Sequence, residues 1–154
     1  MRVIRKILLG LGVLFLVIIA CVTWLGTAGR QFRIEQTPFV ETFVTDLSKH
    51  WDTAAVRDRL ADNLIEDART PDALQFFQQM KQQLGELRSA RDFAMQAYKF
   101  DAAGRTGTVA FKGTFDNGEA EVEVTIRKKD STVRVIGFNI TDVHMREGVS
   151  RVQT

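Results

Sequence analysis

Cysteine is almost missing from this chain: Cys21 stands alone among 154 residues. One cysteine closes no loop within a chain, so no disulfide framework supports the fold and its core must hold unaided. Histidine is nearly as scarce. His50 has Asp52 two residues after it and His144 has Asp142 two residues before it. Neither pair supplies the three or four ligands of a metal centre. No serine lies in a Gly-x-Ser-x-Gly turn, and Cys21 sits in an apolar run, so nucleophilic catalysis lacks its usual residues. Phosphate cradles are missing too: Gly10-Leu11-Gly12 is inside the apolar run, and Gly104 and Gly107 punctuate a strand pattern. A basic stripe is also lacking. Five of the 21 Lys and Arg lie in residues 1–35 against one of the 19 acids. The remainder is therefore mildly acidic, which argues against a nucleic-acid partner.

What is present begins with a run from Ile7 to Leu25, broken only by Gly10, Gly12 and Thr23 and free of charge. At about 1.5 Å per residue this run matches the roughly 30 Å hydrocarbon core of a bilayer. No second run of this kind follows, so a multi-span protein is excluded. Arg2, Arg5 and Lys6 precede the run and Arg30 and Arg33 follow it, which favours a cytoplasmic N-terminus and a body in the periplasm or cell exterior. Three fates remain open. The segment is an uncleaved single-pass anchor in the inner (cytoplasmic) membrane, a signal cleaved at Gly26-Thr27-Ala28, or a lipoprotein signal in which Ile18-Ile19-Ala20-Cys21 leads to lipidation at Cys21. The anchor agrees best with the length, with the apolar residues that continue past Cys21, and with Trp24 where an interfacial aromatic is expected.

Five stretches follow from this: a basic end at 1–6, a transmembrane or signal segment at 7–29, a linker at 30–36, a folded domain at 37–143 and a polar tail at 144–154. Thr37-Pro38 reads as a helix start, with Phe39, Val40, Phe43, Val44 and Leu47 at helical spacing. A shorter helix is expected around Val56 and Leu60, reaching Leu64. Thr70-Pro71 repeats the start signal, Leu74, Phe77, Met80 and Leu84 share a face, and Gly85 is the stop.

After Leu87 the period changes to two. Strands are expected near 90–100, 106–116, 119–129 and 132–142. Asn117-Gly118 predicts a two-residue type I′ turn pairing Phe115 with Ala120 and Phe111 with Val124 on an apolar face, with Lys112 opposite Glu123 on the polar one. The last strand has two registers. A two-residue turn at Asp130-Ser131 pairs Val135 with Ile126 and turns Ile136, Phe138 and Ile140 outward as an interface patch; a three-residue loop buries them.

The sum is an α+β domain behind a transmembrane helix, with helices packed on a curved four-stranded antiparallel sheet. The helices at Thr37–Leu47, Ala54–Leu64 and Pro71–Leu84, the long hairpin Arg105–Phe115 to Glu119–Lys129 and the closing strand Val133–Ile140 resemble the cystatin-like cone fold of the nuclear transport factor two-like superfamily. The chain also resembles small anchored bacterial domains with this fold. That resemblance implies an extracytoplasmic accessory role in binding or assembly, as in scaffold subunits of type IV secretion systems, which are longer than this chain. Other members, ketosteroid isomerases and dehydratases among them, are enzymes with acids, tyrosines or histidines inside an apolar cone. Tyr98, His50 and His144 match none of their motifs residue by residue.

Three functions compete. The first is a non-catalytic, membrane-anchored module that binds another envelope protein or itself. The second is a cup for a lipid-like or other apolar small molecule, formed where Phe39, Phe43, Trp51, Phe76, Phe77, Met80, Tyr98, Phe111 and Phe115 converge. The third is an isomerase or hydrolase with Tyr98, His50 or an acid in that cup. No catalytic residue, metal or cofactor is assigned.

Overall fold

The computed structural model describes residues 2–146, with side chains described from residue 16 onward except at residue 25. The first element, α1 (Arg2–His50), is one unbroken helix. The expected linker at 30–36 is therefore helical, and Thr37-Pro38 starts nothing: Pro38 lies inside the helix. A proline there removes one backbone hydrogen bond and costs about 3 kcal/mol. The helix survives because residues on both sides of Pro38 are held in the core. Phe32, Val40 and Val44 are fully buried, and Gln36 nearly so. The domain thus begins before residue 37.

A 3-10 helix (Thr53–Arg59), capped by the Asp52 carboxylate on the Ala54 amide, and α2 (Asp62–Asp67) replace the single short helix expected there. Leu60 breaks them apart. It forms a parallel bridge to Val135, and the Ala61 amide donates to the Val135 carbonyl at 2.9 Å. The next helix, α3 (Pro71–Gln83), follows its sequence signals. Thr70 Oγ1 accepts from the Ala73 amide, Pro71 opens the first turn, and Gly85 ends the helix at φ +74°.

Four antiparallel strands follow in the order β1-β2-β3-β4: β1 (Leu87–Asp101), β2 (Gly104–Phe115), β3 (Gly118–Lys129) and β4 (Thr132–Met145). The hairpin of β2 and β3 is displaced by two residues from the expected register. Phe111 pairs with Val122, Gly113 with Ala120 and Lys112 with Glu121. A shift of two keeps every side chain on its expected face. The turn falls on Asp116-Asn117, not Asn117-Gly118, because distant groups bind it. The Asp116 amide donates to the Glu86 carbonyl and the Asn117 amide to the Leu84 carbonyl, each at 3.0 Å. Asp116 Oδ2 accepts from the Glu86 amide, and Asp116 Oδ1 from Arg88 Nε. Gly118 serves a close approach instead of a turn: a Cβ there would stand 2.4 Å from the His144 carbonyl oxygen.

In β4 the two-residue turn at Asp130-Ser131 and the Ile126–Val135 pair are as expected. A bulge then intervenes, because Thr125 pairs with Gly137. The extra residue is Ile136. Parity reverses past it, so Phe138 faces the core opposite Val124 and Ile140 opposite Val122. The outward patch of Ile136, Phe138 and Ile140 does not form. Ile140 is buried, Phe138 packs its ring against Phe43 at 6.2 Å between centroids, and Ile136 alone is left at the bulge, half-buried. The expected tail at 144–154 also begins late, since β4 includes His144 and Met145; residues 147–154 lie outside the described part.

The core is the layer between α1 and the sheet. The helix lies along the sheet and meets all four strands. Gly29 faces Tyr98 of β1, Glu35 meets Lys128 of β3 at 3.6 Å, Phe43 meets Phe138 of β4, and Trp51 ends against Phe115 of β2 with centroids 6.0 Å apart. The far end is fastened by polar bonds. Trp51 Nε1 donates to the Gly85 carbonyl at 2.8 Å, and buried Ser48 Oγ accepts from the Leu87 amide at 2.9 Å.

Candidate functional site

The helices after α1 do not close over the sheet completely. An apolar cleft of about 160 Å3 opens between α1 and β4 on one side and α2 and α3 on the other. Phe43 and Leu47 of α1, Leu60, Leu64 of α2, Phe76 and Phe77 of α3, and Phe138 of β4 form most of its wall. Thr53 and Asp67 contribute the polar atoms. The α3 wall is made by two adjacent aromatics whose rings meet edge to face at 5.6 Å, and Leu74 of the same helix is more than half exposed. A helix that keeps Leu74 in solvent while turning Phe76 and Phe77 only partly inward has apolar surface still to cover.

One charged staple holds the cleft's side. Arg59 Nη2 bonds Asp46 Oδ2 at 2.7 Å, joining the 3-10 helix to α1, and Lys49 reaches the other oxygen at 3.0 Å. The hydrogen bond from Arg59, helped by that from Lys49, holds the Asp46 carboxyl below the usual carboxylate range.

Of the nine residues expected to converge on a cup, only Phe43, Phe76 and Phe77 reach this cleft. Trp51, Met80, Phe111 and Phe115 are buried in the core, Phe111 stacked on Phe93 with centroids 5.0 Å apart. Phe39 is half-buried against the core's edge. Tyr98 lies at the opposite end of α1, beside Phe32 at 5.5 Å. The aromatics are thus spread along the whole length of the helix–sheet interface instead of converging. The expected list lacked Phe138, concealed by the bulge, and Leu60 and Leu64, whose spacing was readable but whose helix breaks between them. Ile136 borders a different hollow, a broad, shallow and more polar groove of about 500 Å3 between Leu60-Ala61 and the tip of the β3–β4 hairpin.

His50 ends α1 in solvent, and His144 is exposed on β4. Among the described residues no group of three or more His, Cys, Asp or Glu stands close enough to hold a metal ion. Cys21 is exposed on α1. Among the described residues no helix is long and apolar enough to cross a membrane; the side chains of residues 7–15 and of Leu25, half of the Ile7–Leu25 run, lie outside them.

The class defined by this geometry is an α+β domain with an open apolar cleft beside a long helix. No protein family, curated protein or solved structure matches the chain.

Proposed function

We propose that this protein is a non-catalytic module, anchored in the inner membrane by the first part of α1 and holding its α+β domain in the periplasm or cell exterior, where the cleft receives an apolar side chain of another envelope protein or of a second copy. The observation that carries the binding role is the size of the cleft. Pockets for whole small molecules enclose roughly 300–1,000 Å3. A cleft of about 160 Å3 is close to the roughly 150 Å3 that accommodates one benzene ring, the bulk of a single phenylalanine or leucine side chain. Leu74, exposed on the same helix as Phe76 and Phe77, adds apolar surface that a protein partner, not a small solute, would cover.

The anchor rests on the Ile7–Leu25 run, the basic residues ahead of it and the exposure of Leu16, Val17, Ile18, Ile19, Val22 and Trp24, each from 44% to 69% accessible. Large apolar side chains left open on all sides of a helix call for a nonpolar surrounding. The cystatin-like, cone-shaped reading of the domain belongs to the same proposal; helices ahead of a four-stranded meander support it. A lipid-like ligand is the second reading, favoured by the almost wholly apolar wall of the cleft.

Native mass spectrometry of the full chain from mild detergent, wild type beside Phe77→Arg, tests the choice. A partner or defined oligomer that the substitution removes supports the interaction module. A bound small molecule on a monomer supports the cup instead. A bare monomer with both chains contradicts both.

A further inference from the structure

We infer that the tip of the β1–β2 hairpin rests on the bilayer surface, with Phe100 entering the headgroup region and the basic residues around it facing anionic lipid. This rests on the anchor reading above and adds to it a fixed posture of the domain.

The geometry begins with the direction of β1. Arg33 of α1 bonds the Phe93 carbonyl, and Gly29, one turn earlier in the helix, faces Tyr98, five residues later in the strand, so closely that a Cβ on Gly29 would stand 3.6 Å from the Tyr98 Cβ. The helix and β1 therefore run in opposite directions, and the strand goes on toward the apolar end of α1. Phe100 lies two residues past Tyr98, about 6.6 Å farther along. Trip distance on the helix from Gly29 back to Trp24 is about 7.5 Å. Phe100 and Trp24 are thus carried to about the same level. Both are exposed, Phe100 at 71% and Trp24 at 69%, the two most open large apolar side chains described.

Phe100 shares the parity of Tyr98, so it projects from the face of the sheet that α1 covers, at a place where the sheet extends beyond that cover. Nothing within the domain accounts for a phenylalanine there. Aromatic side chains at the edge of a membrane do have such a place.

Charge agrees with the geometry. The β1–β2 and β3–β4 tips share this end of the sheet. Arg30, Arg33, Arg105, Arg127 and Lys129 gather there, while Glu35 and Asp101 are held in pairs with Lys128 and Lys99 and Asp130, exposed in the β3–β4 turn, is outnumbered by these cations. Among the described residues Arg30, Arg127 and Lys129 have no ion-pair partner. The domain as a whole is mildly acidic, so this basic end is local. An anionic headgroup layer is the surface that complements unpaired cations grouped around an exposed aromatic.

The test uses the full chain with Cys21→Ser and a spin label on Phe100→Cys, on Trp24→Cys or on Leu74→Cys, reconstituted in vesicles of phosphatidylcholine alone or mixed equally with phosphatidylglycerol. Collision with oxygen against a water-soluble nickel chelate reads depth. The expected result is label 24 at the membrane boundary or deeper, label 74 in water, and label 100 at headgroup depth in the anionic vesicles. Label 100 then moves toward water in phosphatidylcholine alone, or when Arg127→Glu and Lys129→Glu are combined. Label 100 reading like label 74 while label 24 is protected overturns the docking and leaves the anchor standing. Equal depth of label 100 in both vesicle types overturns the role of anionic lipid. Label 24 in water overturns the anchor, and the posture with it.

Discussion

The two ends of α1 are similarly rich in large apolar residues and meet opposite surroundings. From Leu16 to Trp24 the side chains are open on all sides; from Phe32 to Leu47 Phe32, Val40, Phe43, Val44 and Leu47 are at most 2% exposed. The difference is in the spacing. The second part has one stripe facing the sheet, with Glu41, Thr42 and Lys49 turned to water. The first has no polar side to turn. Hydrophobicity alone does not decide where a helix goes; the angular distribution of that hydrophobicity does. Since no break separates the parts, the helix that closes the core also leads directly into the apolar run.

The sharpest way to break that contrast is to truncate one large side chain in each part. Phe43→Ala should cost the domain about 3–5 kcal/mol in urea unfolding, since it leaves a cavity between α1 and β4. Ile18→Ala should change unfolding of the same domain by less than about 0.5 kcal/mol. The opposite test uses membrane retention. Ile18→Asp should weaken insertion by about 3 kcal/mol and shift protein into the carbonate-extractable fraction while the domain still folds. Next in size is Pro38→Ala. If α1 truly passes through this position, the substitution restores a helical hydrogen bond at an exposed site and should stabilise the domain by about 1–3 kcal/mol. A helix starting at Pro38 would instead lose stability on that change.

Gly85→Ala comes after these. Its φ of +74° and the 2.9 Å approach of a Cβ to Asp116 both oppose a side chain, and a loss of about 1–3 kcal/mol is expected in thermal or urea unfolding. The smallest effect is that of acid. Hydrogen bonds from Arg59 to Asp46, from Lys99 to Asp101 and from Arg88 to Asp116 hold these three carboxyls below the usual range. A depressed folded-state pKa stabilises fully above the unfolded value of about 3.9, and that part is lost as pH falls through the depressed values. Stability of the domain should hold to about pH 4 and decline below it, and Asp116→Asn should lessen the decline.

Much of the fold was readable because local signals agreed with the tertiary ones. Thr70-Pro71 and Gly85 bound α3, and strict alternation placed β2 and β3 on their right faces. What was hidden depended on distant atoms. The amides of Asp116 and Asn117 bind carbonyls some thirty residues away, which overrides the turn preference of Asn-Gly. Pro38 looked like a beginning, since nothing local reveals that the sheet clamps the helix on either side. The bulge at Ile136 has no composition of its own, yet it alone decides that Phe138 lines the cleft. The candidate site was therefore legible in its aromatic chemistry, through Phe43, Phe76 and Phe77, but not in its position.

Cys21 gives the most direct measurement, because it is the only cysteine and stands exposed within the first part of α1. The full chain in sealed vesicles is treated with a membrane-impermeant maleimide, before and after detergent, with Lys81→Cys in a Cys21→Ser background as the reference. The account predicts that Cys21 reacts only after detergent, while position 81 reacts from the outside at once. Reaction of Cys21 without detergent at the rate of position 81 would contradict it, and so would a Cys21 blocked even in detergent, which would mean lipidation in place of a span.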